Sequence, residues 1–370
     1  PGSRHSVTVN TPQSKTNNLS VITLSPSCGA FLGIPSETSL WTGVDIPGNV
    51  SGVTITADET NMGATISWNP ITTGQKNGYV DPSQINYHLY QKGTLVWSRV
   101  GLLGKNITSA KFGVKEDAGQ KVMNMTVVGE NGAGFGNPVG GYLEALGKPI
   151  ELPAREKYTS ASGGSYPQLV VGYNGAKAPS FGYKDPAKVN ADYADESVPF
   201  AYTAVCAANS TGLIRLPKFS TKGARSVVFM PKIYRGSCEN LVVKVRAFGM
   251  DEVEIFNLAN EESTVATGYQ SFTIALPEQF QDKNWVQVCL YPQFTAEKPN
   301  FILAGYDMLN MVDNDICVKS VTAPHKATVG SKYEVDVTYT NIGMKAINNY
   351  TVELFDGTTL IGSFEGHDLA

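Results

Sequence analysis

A seven-residue phrase occurs twice in the chain, 103 residues apart. It reads GAFLGIP at 29–35 and GAGFGNP at 132–138, and the match extends without a gap over segments 2–35 and 105–138. A period of about 100 residues is the length of one β-sandwich module. The repeat therefore predicts an all-β chain of tandem β-sandwiches. The apolar positions of the two copies also agree: Leu19/Val122, Ile22/Met125 and Leu24/Val127.

The composition agrees with a chain of strands and turns. Among 370 residues there are 37 glycines and 20 prolines, and only 17% of the residues are charged. Glycine and proline interrupt helices and mark turns between short strands. A net charge of −4 provides no positive field for a polyphosphate, so we expect no nucleic-acid partner. No apolar run reaches 18 residues, so we expect no membrane-spanning segment.

The second copy of the repeat lies within a stretch, 47–148, that reads as one complete module. Its strand GATISWNP carries Trp68, its strand INYHLYQKG places Tyr87 and Leu89 on one face, and its late strand ends in a glycine-rich corner. These features resemble a fibronectin type III domain, with Met125 at the position where the family carries its corner tyrosine. The resemblance implies that residues 1–46 are the closing strands of a preceding Ig-like or fibronectin-like module.

Residues 149–321 contain a second set of strands with longer breaks. The segments SVVFMPKIY, NLVVKVRAF, NWVQVCLYPQF and NFILAGYDMLNM predict an antiparallel two-sheet sandwich. Their order resembles the MAM-like jelly rolls of bacterial surface adhesins. The resemblance implies a jelly-roll domain over 149–321.

The last segment, 322–370, begins another sandwich. It shows alternation at Tyr333, Val335 and Val337 and a hairpin turn at Asp356-Gly357. These strands resemble the opening half of a CARDB-like Ig module of bacterial surface proteins. Residues 1–46 and 322–370 together have about the length of one module. We therefore expect the two terminal half-modules to pair, within a molecule or between neighbouring molecules, by strand complementation.

The sequence offers little support for catalysis. It contains no GxSxG, HExxH or GxxxxGK[ST] motif. Its four histidines are scattered over different modules, and no pair of carboxylates stands out in a strand context that would aim both at one cleft. We therefore expect no enzyme in this chain. The histidines are His5, His88, His325 and His367.

An aromatic and acidic stretch at 173–202 is the predicted ligand site. Aromatic faces stack on sugar rings, and carboxylates accept hydrogen bonds from hydroxyl groups or bind Ca²⁺. The alternative is that these tyrosines only cover a sandwich edge. The candidate glycan-binding residues are Tyr173, Phe181, Tyr183, Tyr193, Asp192 and Asp195.

A second, weaker candidate is a Ca²⁺ site in MVDNDICV. Asp313 and Asp315 resemble the start of a calcium loop, but the glycine and the closing glutamate of such a loop are missing. No cofactor other than this Ca²⁺ is expected. The five cysteines show no metal-binding spacing, and we expect buried or half-buried free thiols, with a disulfide within 206–317 as the alternative.

Together the resemblances imply a piece of a multidomain, extracellular surface protein of Bacteroidota-type bacteria. Its function would be adhesion or carbohydrate binding, with a glycan or a host or cell-surface protein as partner, and the Ig-like units would be spacers. Two alternatives stay open: the non-catalytic accessory region of a secreted hydrolase or peptidase, and a purely structural stalk.

Overall fold

The protein is all-β, as the repeat predicts. In the computed structural model, 60% of the chain is strand and 4% is helix. The structure describes residues 4–6, 8, 18–93, 96–159, 170–174, 180–189, 198, 201–205, 209–234, 238–260, 269–294, 300–311, 315–324, 326, 328–341, 343 and 345–369.

The chain divides into two compact units. The first unit contains residues 1–58, 62–115 and 122–146. The second contains 147–370 together with the short segments 59–61 and 116–121. The domain boundaries predicted from the sequence, 1–46, 47–148, 149–321 and 322–370, stay predictions.

In the part of the first unit that the structure describes there are twelve strands. β5, β6 and β9 form one sheet, and β11, β10, β7 and β8 form a second one, to which β12 is added beside β10. Two further pairs, β1 with β4 and β2 with β3, precede them. The strands are β1 (Asn18–Leu24), β2 (Ser27–Cys28), β3 (Phe31–Leu32), β4 (Ser36–Thr42), β5 (Ser51–Ala57), β6 (Gly63–Asn69), β7 (Asn86–Lys92), β8 (Trp97–Lys105), β9 (Ser109–Gly113), β10 (Lys121–Asn131), β11 (Gly134–Phe135) and β12 (Tyr142–Leu146).

The core of the first unit lies between its two larger sheets. Trp68 from β6 packs against Tyr87 from β7, with ring centroids 5.2 Å apart. The hydroxyl oxygen of Tyr87 accepts a hydrogen bond from the backbone N–H of Ile71. Leu89 and Met125 are buried in the same unit. Trp68, Tyr87 and Leu89 are all buried, so the face that Tyr87 and Leu89 share, as the sequence predicts, is the core face.

The second unit contains a larger two-sheet sandwich. One sheet has the order β14-β17-β23-β19-β20, and the other has the order β15-β16-β24-β18-β21 with β13 and β22 at its sides. The elements are β13 (Ala154–Lys157), β14 (Val170–Asn174), β15 (Ser180–Lys184), α1 (Pro186–Val189), β16 (Ala201–Val205), β17 (Ser210–Phe219), β18 (Val227–Tyr234), β19 (Asn240–Ala247), β20 (Val253–Asn257), β21 (Tyr269–Ser271), β22 (Ile274–Ala275), β23 (Val286–Phe294) and β24 (Asn300–Asn310).

The facing sides of these two sheets form the main hydrophobic core. Phe219 and Phe229 each lie 6.0 Å from the ring of Tyr306, measured between centroids. Alternate residues of β23, such as Val288 and Leu290, are fully buried in this core. Because neighbouring side chains of a strand point to opposite faces, the other residues of β23 lie on the outer face of the five-stranded sheet.

Two hairpins follow the sandwich. They are formed by β25 (Ile316–Thr322) with β26 (Asp336–Asn341) and by β27 (Ile347–Asp356) with β28 (Thr359–Leu369). The turn predicted at Asp356-Gly357 is confirmed, since Asp356 pairs with Thr359 and Gly357 has φ +59°. The strand predicted to include Tyr333 and Val335 begins later, at Asp336, and Tyr333 is exposed.

Four of the five cysteines are described, and all four are free thiols. Cys238 and Cys289 are buried and Cys317 is half-buried, as expected, whereas Cys28 is exposed and the expectation of burial is wrong there. Cys206 lies outside the described residues. Among the helices that the structure describes, none is long and apolar enough to cross a membrane.

Candidate functional site

The predicted aromatic site falls on strands at the edges of both sheets of the second unit. The backbone of Tyr173 lies in β14, opposite Gly212 of β17. Phe181 and Tyr183 lie in β15, in the other sheet. The side chains of these three residues lie outside the described part of the structure, and so do Asp192, Tyr193 and Asp195. Their role in binding stays a prediction.

The outer face of the five-stranded sheet carries polar side chains from three neighbouring strands, of which Gln287 and Cys289 are fully buried. On β23, Cys289 lies opposite Arg215 of β17 and also opposite Lys244 of β19. One step along, Gln287 lies opposite Arg246 of β19. Adjacent strands are about 4.8 Å apart, so these residues form two polar rows across the sheet. We call this surface the polar sheet face.

A hydrogen-bonded group lies on the polar sheet face. The hydroxyl of Tyr291 donates to Oε2 of Glu252 at short range. Nη2 of Arg215 lies 3.3 Å from the other carboxylate oxygen, Oε1, and both side chains of this ion pair are about three-quarters buried. The carboxylate is therefore held from two sides while part of each group stays in contact with solvent.

The charge states of this group follow from its surroundings. Burial raises the pKa of the Glu252 carboxyl, but the hydrogen bond from Tyr291 and the charge of Arg215 outweigh burial, so that its pKa lies below the usual value. Burial, followed by the hydrogen bond to Glu252, raises the pKa of the Tyr291 hydroxyl. Burial, followed by the charge of Glu252, raises the pKa of the Cys289 thiol to about 12. At neutral pH the face thus holds a carboxylate, a phenol and an uncharged thiol.

Further contacts fix the neighbouring cations of the polar sheet face. Nζ of Lys244 lies 5.2 Å from the ring centroid of Tyr291. Nε of Arg246 donates to Oε1 of Gln287 at 2.8 Å, and Nε2 of Gln287 donates to the backbone oxygen of Leu216 at 2.7 Å. Side chains held in this way need little reordering when a ligand binds, which lowers the entropic cost of binding.

One end of the polar sheet face opens into a cleft of about 490 Å³. The exposed ring of Phe248 and the edge of Trp285 provide its apolar surface. Nδ2 of Asn284 donates to Oε1 of Glu59 at 3.2 Å in its wall. Charged residues of both signs complete the lining, namely Lys222, Asp282 and Lys283. The cleft therefore combines an aromatic surface with hydrogen-bonding groups.

A fully buried lysine packs against Trp285, which lines the cleft. Nζ of Lys218 lies 4.2 Å from the ring centroid of Trp285 and 2.6 Å from Oδ1 of Asn61. The side chain of Gln120 exchanges two hydrogen bonds with the backbone N–H and oxygen of Lys218. Because Lys218 and Asn61 are completely buried, their contribution is to fix Trp285 rather than to meet a ligand.

The predicted Ca²⁺ site is not tested by the structure. Asp313 lies outside the described residues, and the backbone oxygen of Asp315 accepts a hydrogen bond from the N–H of Gly343 at 3.3 Å. Among the residues that can be described, no group of three or more His, Cys, Asp and Glu side chains could hold a metal ion.

The sequence analysis missed the polar sheet face, although part of its signal is present. The strand VQVCLYPQF alternates apolar residues with Gln287, Cys289, Tyr291 and Gln293. Such alternation indicates a strand with one buried and one outer face. The partners Arg215 and Glu252 come from distant positions, and no local pattern connects them with Tyr291.

No protein-family model matches the chain, and no curated protein matches it. Among solved structures, the chain is similar to a carbohydrate-binding module of the β-sandwich superfamily, at 9% identity, over 72% of this chain and 100% of that one, with a TM-score of 0.29. It is also similar to the K1 adhesin domain of Lys-gingipain from Porphyromonas gingivalis W83, at 8% identity, over 42% and 96% of the two chains, with a TM-score of 0.30.

A third similar structure contains the FN1–FN3 domains of chicken CNTN1, at 12% identity, over 75% of this chain and 67% of that one, with a TM-score of 0.25. Because the TM-scores are 0.30 or lower and the identities 12% or lower, these similarities support no conclusion about the site. The all-β class rests on the sheets described above.

Proposed function

We propose that this chain is the recognition part of a multidomain, extracellular surface protein of Bacteroidota type, and that it binds carbohydrate without catalysing a reaction. The observation that supports the proposal is the polar sheet face. Arg215, Glu252 and Tyr291 are held there by mutual contacts. Farther along the same face, the guanidinium of Arg246 lies 5.9 Å from the ring of Trp285, which lines an aromatic cleft. Adhesion to a host or neighbouring cell through its glycans is the role that follows.

The chemistry of the polar sheet face suits hydroxyl groups. A carboxylate accepts hydrogen bonds from sugar hydroxyls, whereas guanidinium and ammonium groups donate to them. The ring of Phe248 provides a surface for the apolar face of a sugar. Tyr173 enters the proposal as well, because its strand, β14, is the edge strand next to β17 and therefore borders the same sheet. We also propose that Asp313 and Asp315 bind Ca²⁺.

The terminal segments have a second proposed role. Large apolar side chains are exposed in both, for example Leu24 and Phe31 in the first segment and Phe355 and Phe364 in the last. Exposed apolar strands of this kind are surfaces for association. We propose that segments 1–46 and 322–370 of neighbouring molecules pair.

A glycan array tests the binding proposal on the full chain, with and without Ca²⁺. The Lys244→Ala/Tyr291→Phe variant removes two contacts of the polar sheet face without removing an aromatic ring. We expect it to bind at least tenfold more weakly than the wild type. The matched control is Lys232→Ala, which removes a similar lysine on the other sheet, 5.5 Å from the ring of Tyr269.

Three outcomes are informative. Loss of binding in the sheet-face variant but not in the control supports the proposal. Loss only in a Tyr173→Ala/Tyr183→Ala/Tyr193→Ala variant would move the site to the stretch 173–202. Absence of any glycan binding would contradict the proposal and favour the accessory region of a secreted hydrolase or peptidase, or a stalk.

A further inference from the structure

The first unit contains its own cleft, which is separate from the polar sheet face. The cleft has a volume of about 740 Å³, within the usual range for small-molecule sites. Its lining includes the ring of Tyr79, the carboxylates of Asp81 and Glu130, the amides of Asn86 and Asn131, and the ammonium group of Lys105. All of these residues belong to the first unit.

A buried aspartate holds the walls of this cleft in place. The carboxylate of Asp45 accepts hydrogen bonds from the backbone N–H groups of Ile46, Lys76 and Gly78, at 2.8, 2.6 and 3.1 Å. The side-chain amide of Asn131 donates to the backbone oxygen of Asp45 at 2.8 Å. The segment after β4, the loop before Tyr79 and the end of β10 are thus joined through the carboxylate and the backbone oxygen of Asp45.

The polar groups of the cleft are arranged in a row across one sheet. Asn86 of β7 lies opposite Glu130 of β10 on one side and opposite Lys105 of β8 on the other. Oε2 of Glu130 lies 2.7 Å from Nε2 of His88, which is buried. Nζ of Lys105 donates to Oε1 of Gln84 at 3.1 Å. The row therefore presents a carboxylate, an amide and an ammonium group in fixed order.

An exposed aromatic ring completes the set. Tyr79 is 66% exposed, although its backbone is fixed by the hydrogen bond from the N–H of Asp45 to the backbone oxygen of Tyr79 at 2.8 Å. A ring that is open to solvent, next to planar amides and carboxylates on a rigid frame, provides the stacking and hydrogen-bonding groups that a pyranose ring needs.

We infer that this cleft binds a saccharide, with Tyr79 stacking on the sugar ring and Glu130 and Asn86 meeting its hydroxyl groups. The first unit is then a recognition module rather than the spacer that the sequence predicts. The inference concerns residues that the proposed function does not use, so either can fail without the other. Two sites on one chain also raise the avidity for a surface that displays many glycans.

The test uses the full chain that carries Lys244→Ala/Tyr291→Phe, so that the polar sheet face is impaired. On an array of neutral and acidic oligosaccharides, we expect this double variant still to bind some of the glycans. Adding Tyr79→Ala is expected to weaken their binding at least tenfold, and adding Glu130→Gln at least threefold. The matched control is Tyr333→Ala, which removes another exposed tyrosine outside the cleft.

The possible results distinguish support for the inference from its rejection. A loss of glycan binding in the Tyr79→Ala variant that Tyr333→Ala does not reproduce supports the inference. This holds even if the Lys244→Ala/Tyr291→Phe variant binds as well as the wild type, a result that would contradict binding at the polar sheet face. An array on which Tyr79→Ala lowers no signal overturns the inference, whether or not the second unit binds. Circular dichroism of each variant confirms the fold, and the exposed position of Tyr79 makes unfolding an unexpected result.

Discussion

The two copies of the repeated phrase share a strand pairing and a backbone hydrogen bond. In the first copy Cys28 pairs with Phe31, and in the second the equivalent residue Asn131 pairs with Gly134. The N–H of Gly33 donates to the oxygen of Pro26 at 2.8 Å, and the N–H of Gly136 donates to the oxygen of Gly129 at the same distance. The strand pairing and one backbone hydrogen bond therefore recur in both copies, whereas the turn differs: Gly29 has a positive φ of +61°, and its equivalent Gly132 does not have a positive φ.

Burial separates the two copies. Ile22 and Leu24 are 40% and 70% exposed, whereas the equivalent Met125 and Val127 are 1% and 2% exposed. The strand β10 of the second copy has β7 beside it and belongs to a two-sheet sandwich, but β1 of the first copy pairs with β4 in a two-stranded sheet. We infer from this difference in burial that the local sequence determines the hairpin, whereas a facing sheet is needed to bury its side chains.

The largest effect should come from truncating the equivalent apolar residues. Met125→Ala leaves a cavity in a closed core and is expected to cost about 2–5 kcal/mol of the free energy of unfolding. Ile22→Ala removes a side chain that is already partly in water and should cost less than about 1 kcal/mol. Urea denaturation followed by tryptophan fluorescence measures both, and equal shifts would show that the two copies are equally packed.

A smaller effect is expected at the equivalent glycines. A Cβ at Gly136 would lie 2.9 Å from the backbone oxygen of Pro47 and 3.3 Å from that of Gly129, so Gly136→Ala should cost about 1–3 kcal/mol. A Cβ at Gly33 would lie 2.7 Å from Cγ of Pro26, but this contact is with an exposed side chain rather than with a buried backbone. Gly33→Ala should therefore cost less. Thermal melts of the two variants check this order, and a larger loss for Gly33→Ala would contradict it.

The smallest effect concerns what covers the exposed first copy. If terminal segments of neighbouring molecules pair, sedimentation should show weak self-association of the wild-type chain at high concentration. Leu24→Glu places a charge on the exposed strand β1 and should reduce this association. Leu102→Glu makes the same change at an exposed leucine of β8 and serves as the control. Equal association of all three proteins would count against the pairing.

The sequence contains enough information for the local elements and part of the core. Its alternation pattern correctly places Trp68 and Tyr87 inside, because these residues lie on strands with one apolar face. The polar sheet face is harder to predict from the alternation of apolar and polar residues. A register shift between Arg215 and Lys218 changes which face Lys218 belongs to, so that it lies opposite Gln287, and simple alternation gives the wrong side.

We propose that recognition takes place at two surfaces, the polar sheet face and the cleft around Tyr79. Amide hydrogen exchange of the full chain, with and without a pool of oligosaccharides, tests this proposal. We expect slower exchange at β17, β19 and β23 in the second unit, and at residues 79–86 and 130–133 in the first. Unchanged exchange at both surfaces, with saccharide present in excess, would contradict it.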